Sequence, residues 1–209
     1  FSASFYINDS DDNINFVPLT AYSSANLPPR WAAAGLPPAL FDLVSATQGG
    51  PFAALFTYLN LGPLRQHGFE LGVDSLVTQN VSAFANYSWQ GDPEVLDPDE
   101  DQIEYPEAEL IFPPKHRFNV GANFNTARYL GSASVNYTGS AFWTDVLNAP
   151  FHGPTEAFTT VNGSFGVRWM DSRLTTSLKV NNIFDEQVQQ HIFGDIIQRM
   201  WYAEVMVNF

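Results

Sequence analysis

The sequence predicts an all-β fold, an antiparallel transmembrane β-barrel wall of about eight strands. Three observations predict it. Side chains alternate with period two, short and long connections alternate along the chain, and charge is scarce where aromatic residues are plentiful.

Of the 209 residues, 45% are hydrophobic, 15% aromatic and only 15% charged. A soluble domain usually carries about 25% charged residues, so part of this surface is expected to lie out of water. The balance of 9 Lys plus Arg against 22 Asp plus Glu leaves a net charge of −13. That argues against nucleic acid as a partner, because phosphate binding needs clustered cations. No stretch supplies the ~18 uninterrupted apolar residues of a membrane helix. The best candidate, Leu27 to Val44, is broken by Arg30, Asp42 and four prolines. Barrel strands need only ~9–11 residues of alternating character. With zero cysteines, disulfides and cysteine-based metal sites are excluded. Phe1 already sits inside an alternating segment without an initiator Met or secretory leader, so a processed or partial chain is expected.

Strands are expected at about 1–17, 53–75, 80–91, 115–125, 128–141, 157–169, 172–183 and 197–209. The first half reads Phe1, Ala3, Phe5, Ile7 against Ser2, Ser4, Tyr6, Asn8, until Asp9 to Asn13 interrupts. Phe69, Leu71 and Val73 oppose Gly68, Glu70, Gly72 and Asp74. Carried backwards, that parity turns Arg65 and His67 outward. Either a bulge changes the register there or the strand has risen above the membrane. The later strands are cleaner. Phe118, Val120, Ala122 and Phe124 share one face, opposite Arg117, Asn119, Gly121 and Asn123. Tyr129 to Tyr137, Val161 to Trp169, Leu174 to Val180 and Trp201 to Phe209 repeat the pattern, and no apolar face carries a charge. Successive strand side chains point to opposite sides, so each strand has one greasy and one wet wall.

A soluble sandwich could share that alternation; the connections separate the two folds. Short turns at 76–79, 126–127 and 170–171 alternate with long loops at 18–52, 92–114, 142–156 and 184–196. Outer-membrane barrels sort their loops in this way, short at the periplasmic rim and long at the extracellular rim. Aromatic placement agrees. With the short turns below, Trp89, Tyr137 and Trp201 fall at the upper ends of the apolar faces, and Tyr129, Trp169 and Phe209 at the lower ends. From Tyr129 to Tyr137 a tilted strand climbs roughly 20 Å, close to the ~25 Å apolar band between aromatic girdles.

The motifs now on the page resemble the C-terminal barrel of TonB-dependent receptors. Tyr58-Leu59-Asn60-Leu61-Gly62 followed by Gly68-Phe69-Glu70-Leu71 resembles that family's "Asn-x-Gly … Gly-x-Glu-Leu" strand. Pro114-Lys115-His116-Arg117 is similar to its "Pro-x-His-Arg" strand start, and Asn182-Ile183-Phe184-Asp185 to its "Asn-Leu-Phe-Asp" motif. Arg199 and the alternation to Phe209 resemble its "Gly-Arg … Phe" terminus, with Gln198 in place of the glycine. The resemblance implies an energised outer-membrane receptor of bacteria that imports a scarce nutrient. It implies a 22-stranded barrel of which this chain is the C-terminal segment. The plug domain, the other strands and the contact with the TonB energising complex would lie outside the chain. It also gives Val207 and Phe209 the look of the terminal signal read during barrel insertion into outer-membrane lipid. No cofactor and no enzyme activity are implied. The alternative is a stand-alone small barrel with a structural or adhesive role. Against it, the inward Ser, Thr, Asn and Gly would fill a closed eight-stranded barrel poorly.

Candidate chemistry is sparse. Residues 92–109 hold nine acids and no Lys or Arg. Asp97, Asp99 and Asp101 echo the start of a calcium loop, but the glycine and distal Glu are misplaced, which favours a solvated, anion-repelling loop. Ser, His and Asp occur without a nucleophile elbow. His191 to Asp195, near Asp185 and Glu186, lacks ligand spacing on a defined element and reads as loop structure. The expected substrate contacts are therefore Trp143, Asp145, His152 and His191 on the long-loop side, where aromatic platforms and polar groups suit a ligand pocket. No metal site and no catalytic residue are expected. Within 18–52, Trp31 to Gly35 and Pro37 to Val44 suggest a short helix begun by a proline.

Overall fold

The computed structural model describes residues 1–47, 50–60, 62–96, 113–144 and 152–208. In chain order the first elements are β1 (Ser2–Ser10), β2 (Ile14–Ala21), α1 (Pro29–Ala33), α2 (Pro38–Thr47), β3 (Ala53–Asn60) and β4 (Leu64–Thr78). Then come β5 (Val81–Gln90), β6 (Glu94–Val95), β7 (His116–Asn125), β8 (Tyr129–Thr138), β9 (Ala141–Thr144) and β10 (His152–Thr155). The chain finishes with β11 (Phe158–Trp169), β12 (Leu174–Asn181) and β13 (Met200–Val207). Nine of these strands form one antiparallel sheet, eight of them the wall in the order β1-β4-β5-β7-β8-β11-β12-β13, with the two-residue β6 paired to β4 off that path. The hairpins β2–β3 and β9–β10 stand apart from it.

The sheet is a single layer. Among the described residues, only Phe41, Ala141 and Val188 are fully buried apolar side chains, and none belongs to the eight wall strands. A sandwich would bury one face of each strand; here the apolar face lies open, with Phe165 51%, Trp201 60% and Val205 66% exposed. At roughly 25 cal/mol per Å² of apolar surface, such a face is stable only against lipid. The opposite face is polar. Ser132 and Ser164, directly paired across strands, share a hydroxyl hydrogen bond of 2.7 Å. Lys179 pairs with Glu204 at 2.8 Å. Phe84 is one of the few aromatic side chains on this face, and Gly121 makes room for it: a Cβ there would lie 2.7 Å from its ring.

β1 and β13 do not pair with each other among the described residues, so the sheet stays an open, twisted segment of barrel wall. It is not a closed eight-stranded cylinder. Short connections join β4–β5, β7–β8 and β11–β12, and every other wall connection is long. β4 runs past the expected turn at 76–79, because the register slips at Leu76/Thr78 and leaves Val77 bulged. The β11–β12 turn uses left-handed backbone at Met170, Asp171 and Ser172 (φ +52°, +53° and +70°). Two such central residues match the twist of a tight hairpin.

The first two expected strands prove to be two each. β1/β4 form wall and β2/β3 form an arm beyond it, separated by residues 11–13 and the kink at Gly62 (φ +86°). The arm carries α1 and α2, each with a proline in its first turn, sealed by Trp31 edge-on to Phe41 (5.1 Å) and Phe41 against Phe52 (5.7 Å). The register of β1 with β4 is unbroken from Ser2↔Gly72 to Ser10↔Leu64. No bulge turns Arg65 and His67 inward. The strand has instead risen beyond the Phe69–Trp89 stack (5.5 Å), and Arg65 closes a two-pronged ion pair on Asp9 at 2.7 Å.

This hydrogen bond from Arg65, with its charge, holds the Asp9 carboxyl below the usual carboxylate range. A depressed pKa contributes stability above the unfolded value and loses it as pH falls through the folded one. Below about pH 4, the protection of the Leu64 to His67 amides, measured against their intrinsic exchange at each pH, is therefore expected to fall in the full-length protein. Asp9→Asn should be less protected at neutral pH, and its protection should respond little to acid. Cysteines placed in β8 test the two faces: Asn136→Cys should react with a charged maleimide and Val135→Cys should not. Equal labelling would contradict the assignment of inner and outer faces.

Candidate functional site

The long connections gather at one rim, and two of them build a cleft there. After β8 the chain folds into the hairpin β9–β10, with Trp143 opposite Gly153 and His152 opposite Thr144. One face of this hairpin carries Trp143 and Thr155. The Trp143 indole N–H donates to the Thr155 hydroxyl (3.2 Å), and the His191 ring packs edge-on against the indole at 4.9 Å. Ile192 covers Gly153. The other face carries His152 beside Phe142 (6.2 Å). Trp143 and His191 are thus brought together, whereas His152 points away from them. Asp145 lies outside the described residues.

Below Trp143, on the lumenal face, a cleft of about 320 Å³ is lined by Arg117, Thr138, Trp143, Thr155, Phe158 and Gln190, among others. Arg117 pairs with Thr138, and Thr138 with Phe158, so the floor is made of three adjacent wall strands. Arg117 was read from the sequence only as part of a strand-start motif. Its inward parity and its place at the loop end of β7 were the available signals. A larger cleft of about 570 Å³ opens on the outer side, between the Lys115–Asp92 ion pair (2.6 Å), His116, Tyr137, Phe142 and Pro154. Of the acidic stretch, residues 97–109 lie outside the described residues, and with them the calcium-like Asp97, Asp99 and Asp101.

The last long loop is held at its base by the residues of the Asn-x-Phe-Asp motif. Asn182 is 4% exposed and left-handed (φ +56°), a conformation Asn tolerates. Its N–H donates to Asn162 Oδ1 (2.8 Å), its amide Nδ2 to the Glu186 carbonyl (2.7 Å), and its Oδ1 accepts from the Glu186 N–H (3.0 Å). Asp185 accepts the Arg199 N–H (2.8 Å), and the Arg199 guanidinium reaches the Ile183 carbonyl (3.2 Å). This clamp, with the Val188–Ile197 bridge, occupies residues 197–199 and delays the expected start of the last strand to Met200.

The aromatics expected at the two levels stand on the outer face. Trp89 stacks on Phe69, Tyr137 on Phe118 (5.1 Å), and Trp201 lies under Arg199 (5.9 Å). At the short-turn end, Arg128 lies over both Tyr129 (5.6 Å) and Trp169 (5.8 Å). Val207 is outward and paired with Leu174, while Phe209 lies outside the described residues.

The sequence profile described as "TonB dependent receptor-like, beta-barrel" matches residues 1–183. The chain belongs to the TonB-dependent receptors. This receptor wall resembles solved structures of that kind in fold. One is the ferric enterobactin receptor PfeA of Pseudomonas aeruginosa (12% identity, TM-score 0.60, 99% of this chain and 28% of that one). Another is the copper transporter OprC (14%, 0.57, 99% and 28%). A third is the FrpB iron transporter of Neisseria meningitidis (17%, 0.51, 73% and 25%). The receptor chain therefore spans little more than a quarter of the length of these structures. No curated protein sequence matches it.

Removing the Asn182 side chain would leave the Glu186 N–H and carbonyl unpaired. Losing a buried polar partner costs about 1–3 kcal/mol. Asn182→Ala in the full-length receptor should lower the temperature at which its folded, fast-migrating band disappears on electrophoresis. An unchanged transition would show that the clamp is not structural.

Proposed function

We propose that this chain is a stretch of barrel wall in an energised bacterial outer-membrane receptor that imports a scarce nutrient, and that it has no enzymatic role. One observation carries the reading: a polar lumenal face runs the height of the sheet and ends at the loop rim in a formed cleft. Trp143 and His191 supply an aromatic platform there, where a solute arriving from outside first meets the wall. The outward aromatics Trp89, Tyr137 and Trp201 above, and Tyr129 and Trp169 below, serve as membrane girdles, and Val207 and Phe209 as the insertion signal. A plug domain, the remaining strands and the TonB complex complete the machine. The similar receptors handle copper, ferric enterobactin and iron by name. Metal complexes are accordingly the first cargo class to try.

The test uses the native host. Deleting the full-length gene should lower accumulation of radiolabelled iron or copper complexes under metal limitation by several-fold, and loss of TonB should do the same. Normal accumulation of every complex in the deletion strain, despite receptor present in wild-type outer membranes, would overturn the import reading.

A further inference from the structure

The loop-rim cleft contains a cation, Arg117, that no acid among the described residues neutralises. On the lumenal face, Lys179 is paired with Glu204, and Arg168 is tied to the Asn125 side chain (2.8 Å) and the Thr126 carbonyl. Arg117 is exposed and makes no ion pair or side-chain hydrogen bond among the described residues. Glu70 occupies the same cross-sheet row two strands away, beyond Ser88, and forms no ion pair with it.

On the loop-rim side the lining beside Arg117 is mostly apolar and fixed in position, whereas on its other side Arg117 borders a polar groove with Glu70, Ser88 and Asn119. Trp143 is held by its bond to Thr155, itself 6% exposed, and by the His191 ring. Phe158 and Pro114 add apolar surface, and Thr138 and Gln190 add hydrogen-bonding groups. The loop bearing Gln190 is braced by the Gln189 amide, which donates to the Ile192 and Gly194 carbonyls, and by the Val188–Ile197 bridge. A rigid aromatic wall loses little freedom when a ligand docks. The planar guanidinium matches two coplanar oxygens. A negatively charged planar group on an aromatic body suits both the guanidinium and the aromatic wall.

We infer that this cleft is a subsite for an aryl carboxylate, alone or as the carboxylated aromatic end of a larger solute. Arg117 grips the carboxylate, and Trp143 and Phe158 flank the ring. The inference rests on the reading that the lumenal face lines the cargo's path, but its binding can be measured without transport.

Purified full-length receptor in detergent is titrated at neutral pH with benzoate and with the isosteric neutral benzamide, by calorimetry. Benzoate should bind saturably and about tenfold tighter than benzamide, the difference a single charged contact commonly supplies. Arg117→Gln should abolish that preference while keeping wild-type heat-modifiable migration. Arg117→Lys should retain part of it, and Trp143→Leu should weaken both ligands alike. Equal affinities in the wild type, no binding of either ligand, or a preference that survives Arg117→Gln would overturn the subsite. An Arg117-dependent preference in a receptor that imports nothing would keep the subsite and remove the import reading. Import by a receptor without the preference would do the reverse.

Discussion

The structure depends on one requirement: a backbone immersed in hydrocarbon must find all its hydrogen-bond partners within protein. The eight wall strands meet it through continuous antiparallel ladders, with nine or ten register pairs along β5–β7, β7–β8 and β8–β11. Other features accommodate the ladder. Left-handed residues at 170–172 keep the turn tight enough for β11 and β12 to stay in register. Gly121 yields space to Phe84 so that neither strand has to part. Irregular backbone is confined to the rims, where water can serve it.

Because the ladder leaves side chains free to differ on the two faces, each face answers to its own solvent. The outer face bears bulk and aromatic rings, and its cations are withdrawn to the ends: Arg128 under Tyr129 and Trp169, Arg199 by Trp201, Arg65 on Asp9. The inner face uses short polar side chains and carries charges, of which Lys179 and Glu204 are paired. Where the inner face meets the loops, large side chains from the β9–β10 hairpin and the last long loop converge over wall residues.

The wall was legible because a period of two survives wherever one side faces lipid. Tyr129 to Tyr137 and Leu174 to Val180 show it without interruption. It faded where the chain leaves the membrane. The arm β2–β3 runs on from the wall strands without a polar break long enough to separate them, and Gly62 marks the joint only by its backbone conformation. The hairpin β9–β10 was hidden by its four-residue strands and by Gly153 and Pro154, which read as loop. The pairing of Trp143 with His191 depends on two loops nearly fifty residues apart. The opposite orientation of His152 follows from a register that no local pattern announces. Arg117 was overlooked for a different reason: its motif described a strand, and its place in the rim cleft, without an acidic partner among the described residues, is visible only in three dimensions.

The clamp at the base of the last loop has a consequence for how such receptors diversify. Asn182, Asp185 and Arg199 join the end of one strand to the start of the next through their own hydrogen bonds, upstream and downstream of the loop's middle. Exposed positions such as Gln190 and Asp195 can then be exchanged without being felt in the registration of β12 and β13. The wall keeps a constant chassis beneath a loop whose exposed side chains are free to change.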